Sequence, residues 1–279
     1  MPQLIGRFLS STRFMLALAS TLIFCFPIYW MIITSFKSEK EINTTTPTLW
    51  PTEWHWENYL DAFQMAPFGT YMMNTVLMTV GILLLQLNFA IITAYAFAKG
   101  RFRGRDQLFL LVLAAMMIPG EVTFIPVYVM VSKLGWLNTF AGLIVPHAIS
   151  AYGIFLLRQA FKSIDNSVIE AAQLDGANRW QILYGVLVPM ARPTVITLGI
   201  FIFIGSWNSY FWPLIATNQE SMRVLTVGIA MLKDTFVGTE VANWHLIMAG
   251  SVLTILPIVL LFIIAQRYIV QAMSNSTFR

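Results

Sequence analysis

Two short segments carry residue types whose spacing supports binding chemistry. The first, residues 170–180, reads "EAAQLDGANRW" and mixes acids, a base and small side chains between long apolar runs. Its charged groups can pair with another protein, and its small residues permit close approach. The second, residues 206–212, reads "SWNSYFW". Its indole and phenol rings can stack on the C–H faces of sugars, while its amide and hydroxyl groups can exchange hydrogen bonds with sugar hydroxyls.

Groups suited to bond-making chemistry are sparse and scattered. The single Cys25 lies in the apolar run "TLIFCFPIYW", and His55, His147 and His245 are isolated from one another in the sequence. None of them has a second ligand at metal-binding spacing, and no Walker A or nucleophile motif occurs. The sequence therefore predicts no catalytic residue, no metal site and no cofactor held by this chain.

Composition places these segments in a membrane protein. Of the 279 residues, 57% are hydrophobic and 11% are charged, whereas about a quarter of the residues in an average soluble domain are charged. A hydrocarbon core needs roughly 20 mainly apolar residues per helix. Six runs meet that length, and the first is too long for a signal peptide. We expect one all-α transmembrane domain, residues 1–279, with spans at about 14–35, 72–98, 107–130, 140–157, 193–215 and 246–266.

Basic residues predict the orientation of these spans. Six spans put both termini on one side, and Lys and Arg are retained in cytoplasmic loops. If the termini are cytoplasmic, the inner segments hold twelve of the 17 Lys and Arg residues: Arg7, Arg13, Lys99, Arg101, Arg103, Arg105, Arg158, Lys162, Arg179, Arg192, Arg267 and Arg279. Acids such as Glu240 lie mostly on the other side. The net charge of +4 is thus a topological signal, and no nucleic-acid partner is expected.

The loop at about 163–190 is predicted to be the longest inner segment, and it begins with a short helix. Ser167 and Glu170 have the spacing of a capping box, in which each side chain bonds a free amide at a helix start. We expect a helix from about 166 to 174, because Glu, Ala, Gln and Leu are strong helix formers. Gly176 stands where a left-handed residue would end that helix.

A second short helix is expected from about Asn178 to just before Pro189. Apolar side chains recur at helical spacing along one face, at Trp180, Leu183, Tyr184 and Leu187. The segment is thus a helix, turn and helix with small residues at its corner. On these residues alone, an amphipathic loop that rests on lipid headgroups is an alternative interpretation.

The stretch "EAAQLDGANRWQILYGVLVPMARP" resembles the EAA signature of the permease subunits of ABC importers. Glu-Ala-Ala is followed three residues later by Asp-Gly-Ala, and a Val-Pro precedes the next span. Further segments resemble the carbohydrate-type subfamily, which includes the maltose, trehalose and glycerol-3-phosphate permeases: "MIITSFKSEKEI", "ENYLDAF", "AYAFAKGRFRGR", "MIPGEVTFIPVY", "LGWLNTFAGLIVP", "GSWNSYFWPLI" and "WHLIMAGSVLTILPIVLLFIIAQRYIVQAM". The resemblance runs nearly from end to end.

The resemblance implies an ABC importer type I permease fold with six transmembrane helices in the inner membrane of a prokaryote. It also implies a second homologous permease subunit, two ATP-binding subunits that hold ATP and Mg, and an extracytoplasmic solute-binding protein. The chain itself would be a transporter subunit rather than an enzyme. The solute would be a sugar or a sugar-like compound: a di- or oligosaccharide, a glycosylated polyol or a glycerol-phosphate compound. An amino-acid or peptide permease and a polytopic membrane enzyme are the alternatives.

The same resemblance implies roles for the EAA loop and for Trp207, Asn208 and Tyr210, whereas Glu121 and Asn74 are chosen because polar groups within spans are expected along a solute pathway. In the EAA loop, residues 163–190, the residues expected to contact the ATPase are Glu170, Ala171, Ala172, Asp175, Gly176 and Arg179. The residues expected to line the solute pathway are Trp207, Asn208, Tyr210, Glu121 and Asn74. For this second group, packing within the spans is the alternative role. The C-terminal "SNSTFR" departs from the Gly-rich tail of many family members, which puts a tail contact with the ATPase in doubt.

Overall fold

The computed structural model describes residues 2–235 and 243–277. Glu240 and Arg279, named above for the orientation, lie outside them. Within the described ranges the regular structure is helical and no strand occurs, which confirms the all-α class. The α-helices, numbered in chain order, are α1 Pro2–Thr34, α2 Glu39–Ile42, α3 Asn58–Met65, α4 Phe68–Lys99, α5 Arg105–Ala115, α6 Gly120–Lys133, α7 Phe140–Ile144, α8 Ala151–Lys162, α9 Asn166–Leu174, α10 Val188–Met190, α11 Arg192–Trp207, α12 Phe211–Ala216, α13 Leu225–Thr235 and α14 Trp244–Thr277. Two 3₁₀ turns, Val145–His147 and Glu220–Met222, and one π-helix, Gln181–Leu187, connect some of them.

Three segments within single helices are long and apolar enough to cross a membrane: Phe14–Thr34, Phe68–Lys99 and Trp244–Ile264. Three further candidates are pairs of helices with a bend between them, and six spans result if each pair counts as one. The bends measure 98° between α5 and α6, 46° between Phe140–His147 and α8, and 86° between Gln181–Met190 and α11. The expected fifth span at 193–215 is interrupted as well, because α11 ends at Trp207 and α12 begins at Phe211.

One compact unit comprises Met1–Phe68 and Gly228–Leu256. Part of its core joins Ala62 to Leu246 and Ala249, with Tyr59 packed against them. The Tyr59 hydroxyl bonds the Ser35 hydroxyl at 2.7 Å. These contacts attach α3 to the end of α1 and to the start of α14.

The buried carboxylate of Glu41 organises the loop that follows α2. It accepts hydrogen bonds from the hydroxyls of Thr48 and Thr52 and from the Thr52 backbone amide. The ammonium of Lys37, also buried, donates to the Thr48 carbonyl and lies 4.6 Å from the centre of the Trp30 ring. Burial opposes ionisation of Glu41, but the threonine hydrogen bonds and the charge of Lys37 outweigh it, so the pKa of Glu41 lies below its usual value.

The second unit comprises Gly69–Val227 and Pro257–Arg279. Helix α8 packs closely against α4 and α11 at Gly153, where an added Cβ would just reach van der Waals contact, 3.4 Å from Ala90 Cβ and 3.4 Å from Leu198 Cδ2. The indole of Trp212 donates to the carbonyl of Gly142 at 3.0 Å, which attaches α12 to α7. These contacts fix α8 against α4 and α11, and α12 against α7.

Replacement of Glu41 by Gln is expected to loosen the 44–52 loop, because an amide accepts weaker hydrogen bonds than a carboxylate. Since the pKa of Glu41 is lowered in the folded chain, its stabilisation is present at neutral pH and is lost as the pH falls below about 4.5. In the wild type, protection of the loop amides against hydrogen exchange should therefore decrease in acid. In Glu41→Gln the protection should be lower at neutral pH and nearly independent of acid pH. Equal protection in both proteins at neutral pH would contradict this role.

Candidate functional site

The first helix of the EAA loop has the predicted limits but a different cap. Helix α9 runs from Asn166 to Leu174, as expected. The capping box between Ser167 and Glu170 is wrong: Asp165 is the N-cap, and its carboxylate accepts from the Ser167 amide at 2.8 Å. That hydrogen bond also lowers the pKa of Asp165. Asp and Ser are both good caps, and the acid two residues earlier leaves Glu170 on the helix surface without a capping role.

Gly176 ends α9 as predicted, with φ at +80°. The amide of Ala177 donates to the Ala172 carbonyl at 2.9 Å, and the Gly176 amide donates to the Gln173 carbonyl at 3.0 Å. These two bonds form a Schellman motif, which satisfies carbonyls that the helix end would otherwise leave free. A left-handed backbone costs an ordinary L-residue roughly 1–2 kcal/mol. The corner of the loop therefore requires glycine for its backbone rather than for space, since a Cβ at Gly176 would meet no atom within 4 Å.

The second helix of the loop differs from the prediction in its type and in its end. A capping box does exist here: Asn178 accepts from the Gln181 amide at 3.0 Å, and Gln181 accepts from the Asn178 amide at 2.8 Å. Residues Gln181–Leu187 then form a π-helix instead of an α-helix. The expected stop at Pro189 is also wrong, because Pro189 stands in the first turn of α10, where its missing amide costs no hydrogen bond.

The π-helix divides the predicted apolar face into a buried and an exposed part. Leu183 and Leu187 are fully buried, and so is Ile182, which the α-helical spacing had not included. Trp180 and Tyr184 lie outside, with their rings stacked at a centroid distance of 6.2 Å. The aliphatic side chains of this segment are thus buried, and its two aromatic rings are exposed.

The residues expected to contact an ATPase form an exposed surface on this loop. Glu170, Ala171, Asp175, Gly176 and Arg179 are exposed, whereas Ala172 is half-buried. Sequence reasoning missed Leu174, the last residue of α9, whose side chain is 90% exposed. A signal was available in the spacing, because Leu174 lies five residues after the buried Ile169 and so points to a different side of α9.

Lys99 ties the start of α9 to the end of α4. Its ammonium donates to the carbonyl of Ile164 at 2.6 Å and to the Asn166 side-chain oxygen at 2.8 Å. Asp165 lies between these two acceptors in sequence and contributes an opposite charge nearby. The last residue of a long apolar helix is thereby attached to the first turn of the EAA loop.

Arg158 makes a second attachment between α8 and the same end of α4. Its Nε donates to the Phe97 carbonyl at 3.3 Å, and its guanidinium lies 3.7 Å from the centre of the Phe109 ring. Asp106 approaches the guanidinium to 3.8 Å. The side chain is buried. Arg158 therefore holds α4, α5 and α8 together next to the loop.

The residues expected to line a solute pathway are not gathered into one site. Trp207 is buried and stacks on Phe203 at 5.5 Å, and Asn208, which caps α11, donates to the Ile204 carbonyl at 3.0 Å. Tyr210 is 42% exposed between α11 and α12. Of these three residues Trp207 thus has the packing role, whereas Asn208 and Tyr210 are exposed.

Asn74 and Glu121 have contrasting surroundings. The amide of Asn74 is buried and donates to the carbonyls of Ser221 at 2.8 Å and Arg223 at 2.9 Å, so it holds the segment before α13. Glu121 is exposed in the first turn of α6, directly after the 98° bend. The helix is interrupted here because Pro119 lacks a backbone N–H and Gly120 is conformationally permissive.

A cavity of about 260 Å³ lies among α4, α8 and α11, next to the break between His147 and Ala151. Sequence reasoning missed it, because residues from three distant segments form it. Its polar lining residues are Gln86, His147, Ser150, Tyr152, Ser206 and Ser209, and aliphatic residues, Phe201 and Gly205 complete it. The Nε2 atom of His147 is buried and has no hydrogen-bond partner among the described residues.

Known proteins similar to this chain are transport components. Over 98% of this chain and 90% of the relative, it is 32% identical to the diacetylchitobiose uptake system permease protein NgcG of Streptomyces coelicolor. It is 31% identical to the arabinooligosaccharides transport system permease protein AraQ of Halalkalibacterium halodurans, over 89% of each chain. A crystal structure of a bacterial ABC transporter involved in the import of the acidic polysaccharide alginate contains a chain that superposes with a TM-score of 0.84 at 26% identity, over 94% of this chain and 96% of the other.

Residues 86–275 match the family described as binding-protein-dependent transport system inner membrane component. This range includes the EAA loop, the Lys99 and Arg158 attachments and most of the cavity. The match covers more than half of the sequence, and the near full-length relatives agree with it. The chain therefore belongs to this family of inner-membrane permease subunits and is a transport component rather than an enzyme.

Proposed function

We propose that this chain is the permease subunit of an ATP-driven importer that carries a saccharide or sugar-like solute inward by alternating access. The observation that carries the proposal is the EAA loop: a capped helix, a glycine corner and an exposed, charged surface attached to two spans. The names of the relatives, which refer to diacetylchitobiose and arabinooligosaccharides, support the solute class. The distribution of Lys and Arg supports cytoplasmic N and C termini.

The partners proposed for the chain follow from this role. A second, homologous permease completes the pathway, and two ATP-binding subunits, which hold ATP and Mg, dock on the cytoplasmic side. An extracytoplasmic binding protein delivers the solute. Exposed apolar surface on α5 and α6 and between them, at Leu110, Leu111, Met117 and Ile125, agrees with a helix pair that faces lipid or another subunit.

The exposed surface of the EAA loop fits a cleft in a partner ATPase. Leu174 offers an apolar anchor, and Glu170 and Arg179 offer charges of opposite sign on either side of the corner. The small Ala171 and Gly176 allow the partner backbone to approach. Binding hot spots lie in desolvated pockets surrounded by contacts that exclude water, and an exposed anchor that enters a cleft fits that arrangement.

Lys99 is proposed to transmit movement of α9 to α4. The covalent chain connects α9 only to α8 on one side and to the π-helix on the other. The two hydrogen bonds of Lys99 add a third connection, to the longest straight span of the unit. Nucleotide-driven movement of the loop would then reach α4 directly.

We propose that the five expected pathway residues have two different roles. Tyr210, Asn208 and Glu121 lie at helix breaks and are exposed, as groups along a solute path must be at some stage. Trp207 and Asn74 are buried and make contacts within the chain. They would shape the pathway rather than contact the solute.

The function is tested with the complete complex, reconstituted in liposomes with its ATPases and binding protein. Diacetylchitobiose, arabinotriose, sn-glycerol 3-phosphate and a dipeptide are added outside, and ATP hydrolysis and uptake are measured. We expect a saccharide to stimulate both activities. Stimulation by the dipeptide alone would assign the chain to another solute class.

Gly176→Val is expected to disturb docking of the ATPase. A β-branched residue at φ +80° costs roughly 1–2 kcal/mol or more and would reshape the corner. Less ATPase should copurify, and solute-stimulated hydrolysis should fall. Gly176→Asn is the matched control, because asparagine tolerates the left-handed region. A normal stimulated rate in Gly176→Val would refute the role of the corner.

Lys99→Met is expected to lower the amount of solute moved per ATP hydrolysed by about tenfold, which corresponds to ~1.4 kcal/mol of lost coupling. Assembly and basal hydrolysis should be retained, because methionine has nearly the length and the apolar stem of the half-buried Lys99 side chain. Lys99→Arg should recover part of the ratio. Lys162→Met removes an exposed base at the end of α8 and serves as the control. If the ratio stays normal in Lys99→Met, the attachment has no role in coupling.

A further inference from the structure

We propose that the segment after α1 rests in the headgroup region of the lipid bilayer and anchors the end of α1 and the start of α14 there. Six exposed apolar side chains form the surface that would meet the lipid, which we call the interfacial surface: Leu49, Trp50, Trp54, Trp56, Leu60 and Phe63. Each of them is between 42% and 67% exposed within the chain. An exposed apolar group of this size marks a surface that a membrane or another protein covers. This anchoring does not depend on which solute is carried.

Two hydrogen bonds hold the start of the interfacial surface beside the membrane-spanning part of α1. The hydroxyl of Tyr29, within the candidate span Phe14–Thr34, donates to the Leu49 carbonyl at 2.5 Å. The ammonium of Lys37 donates to the carbonyl of Thr48. Tyr29 lies five residues before the end of the span, which is about 7.5 Å along the helix axis. The chain at Leu49 is therefore drawn back to the border of the hydrocarbon core.

The apolar side of the span continues into the interfacial surface. Phe26 is 51% exposed on α1, and its ring centre lies 6.4 Å from that of Tyr29. The Tyr29 hydroxyl in turn contacts the backbone of Leu49, whose side chain is exposed. This continuity favours lipid as the partner, because one apolar surface runs from the span into the loop.

The three tryptophans form one cluster around the buried Phe36, two residues after the end of α1. The ring centre of Phe36 lies 5.1 Å from that of Trp54 and 4.6 Å from that of Trp56. The rings of Trp50 and Trp54 meet edge to face at 5.6 Å. Tryptophan is enriched at the level of the headgroups, because its ring has an apolar body and a polar N–H. The cluster thus places three indoles next to the end of a span.

Helix α3 has three distinct faces. Ala62 is fully buried against the start of α14. Leu60 and Phe63 are three residues apart and share an exposed apolar face. Asp61 is turned by about 100° from Leu60 and is exposed as well. A face packed on the protein, an apolar face and a charged face are what a helix in the plane of the membrane interface requires.

The charges of this segment favour a zwitterionic lipid over an anionic one. Residues 49–63 include no Lys or Arg, so they cannot attract anionic headgroups as basic clusters do. The side chains of Glu53 and Glu57 are 83% and 59% exposed, and His55 Nδ1 lies 2.6 Å from Glu57 Oε1. The apolar area and the indoles therefore provide the attraction to the bilayer, and the acids remain in water.

The interfacial surface is tested by the depth of its tryptophans. The complete complex is placed in nanodiscs of phosphatidylcholine that carries bromine, which quenches tryptophan on contact, either near the headgroup or near the end of one acyl chain. The emission of the triple variant Trp50→Phe, Trp54→Phe and Trp56→Phe is subtracted from that of the wild type. We expect bromine near the headgroup to lower this difference by about half or more, and bromine near the chain end to lower it less. Trp207→Phe is the control, since Trp207 is buried.

Iodide in the aqueous phase distinguishes the other possible surroundings of these tryptophans. If iodide quenches the difference emission and bromine does not, the interfacial surface lies in water and the lipid anchor is refuted. If neither quenches it, another subunit covers the surface. If quenching by iodide disappears only when the solute-binding protein is added, that protein is the partner. Either of these last two results would also overturn the assignment to lipid.

Two neighbouring residues of α3 provide an independent test. Leu60→Asn should speed hydrogen exchange of the α3 amides in nanodiscs by about tenfold, because a polar side chain on the apolar face weakens attachment to the bilayer. Asp61→Asn, on the charged face, is the matched control and should leave the exchange unchanged. Basal ATP hydrolysis reports whether each complex is assembled. Exchange in Leu60→Asn as slow as in the wild type would contradict the anchor.

Discussion

The constraint on which the structure depends is that backbone amides and carbonyls at membrane depth must be bonded within the protein. In α4 the helical ladder satisfies it. At some interruptions a side chain supplies a further hydrogen bond. Ser150 caps α8, Asn208 bonds the last turn of α11, and the indole of Trp212 bonds the carbonyl of Gly142. The starts of α6 and α11 have no side-chain cap, and each lies beside a proline, which has no amide to satisfy.

The EAA loop meets the same need for hydrogen-bonded backbone groups largely within itself. Its first helix ends in a Schellman motif and its second begins with a capping box, so few of its backbone groups depend on surrounding contacts. Inward packing of Ile182, Leu183 and Leu187 fixes the second helix. The exposed residues of the loop remain accessible to a partner, while Lys99 and Arg158 connect its base to α4, α5 and α8.

Local patterns in the sequence were sufficient for the helical class, the three long apolar helices α1, α4 and α14, the limits of α9 and the left-handed Gly176. Each of these depends on residues that are close in the chain. The N-cap at Asp165 was missed because two capping residues compete within three positions. The π-helix was missed because its wider turn has no distinct apolar period. The cavity depends on the approach of Gln86, His147 and Ser209, which no local spacing encodes.

The π-helix has a consequence for how the chain can vary in length. A π turn holds about one residue more than an α turn, so Gln181–Leu187 contains a residue that an α-helix would not need. Deletion of that residue would restore α geometry locally and would leave α11 nearly in phase with the corner at Gly176, because the wider π turn already absorbs the extra residue. If all seven residues were wound as an α-helix instead, α11 would be turned by about 100°, and Gly205 and Ser209 would leave the cavity. The π-helix thus keeps α11 in place while the chain carries one more residue than an α-helix would need.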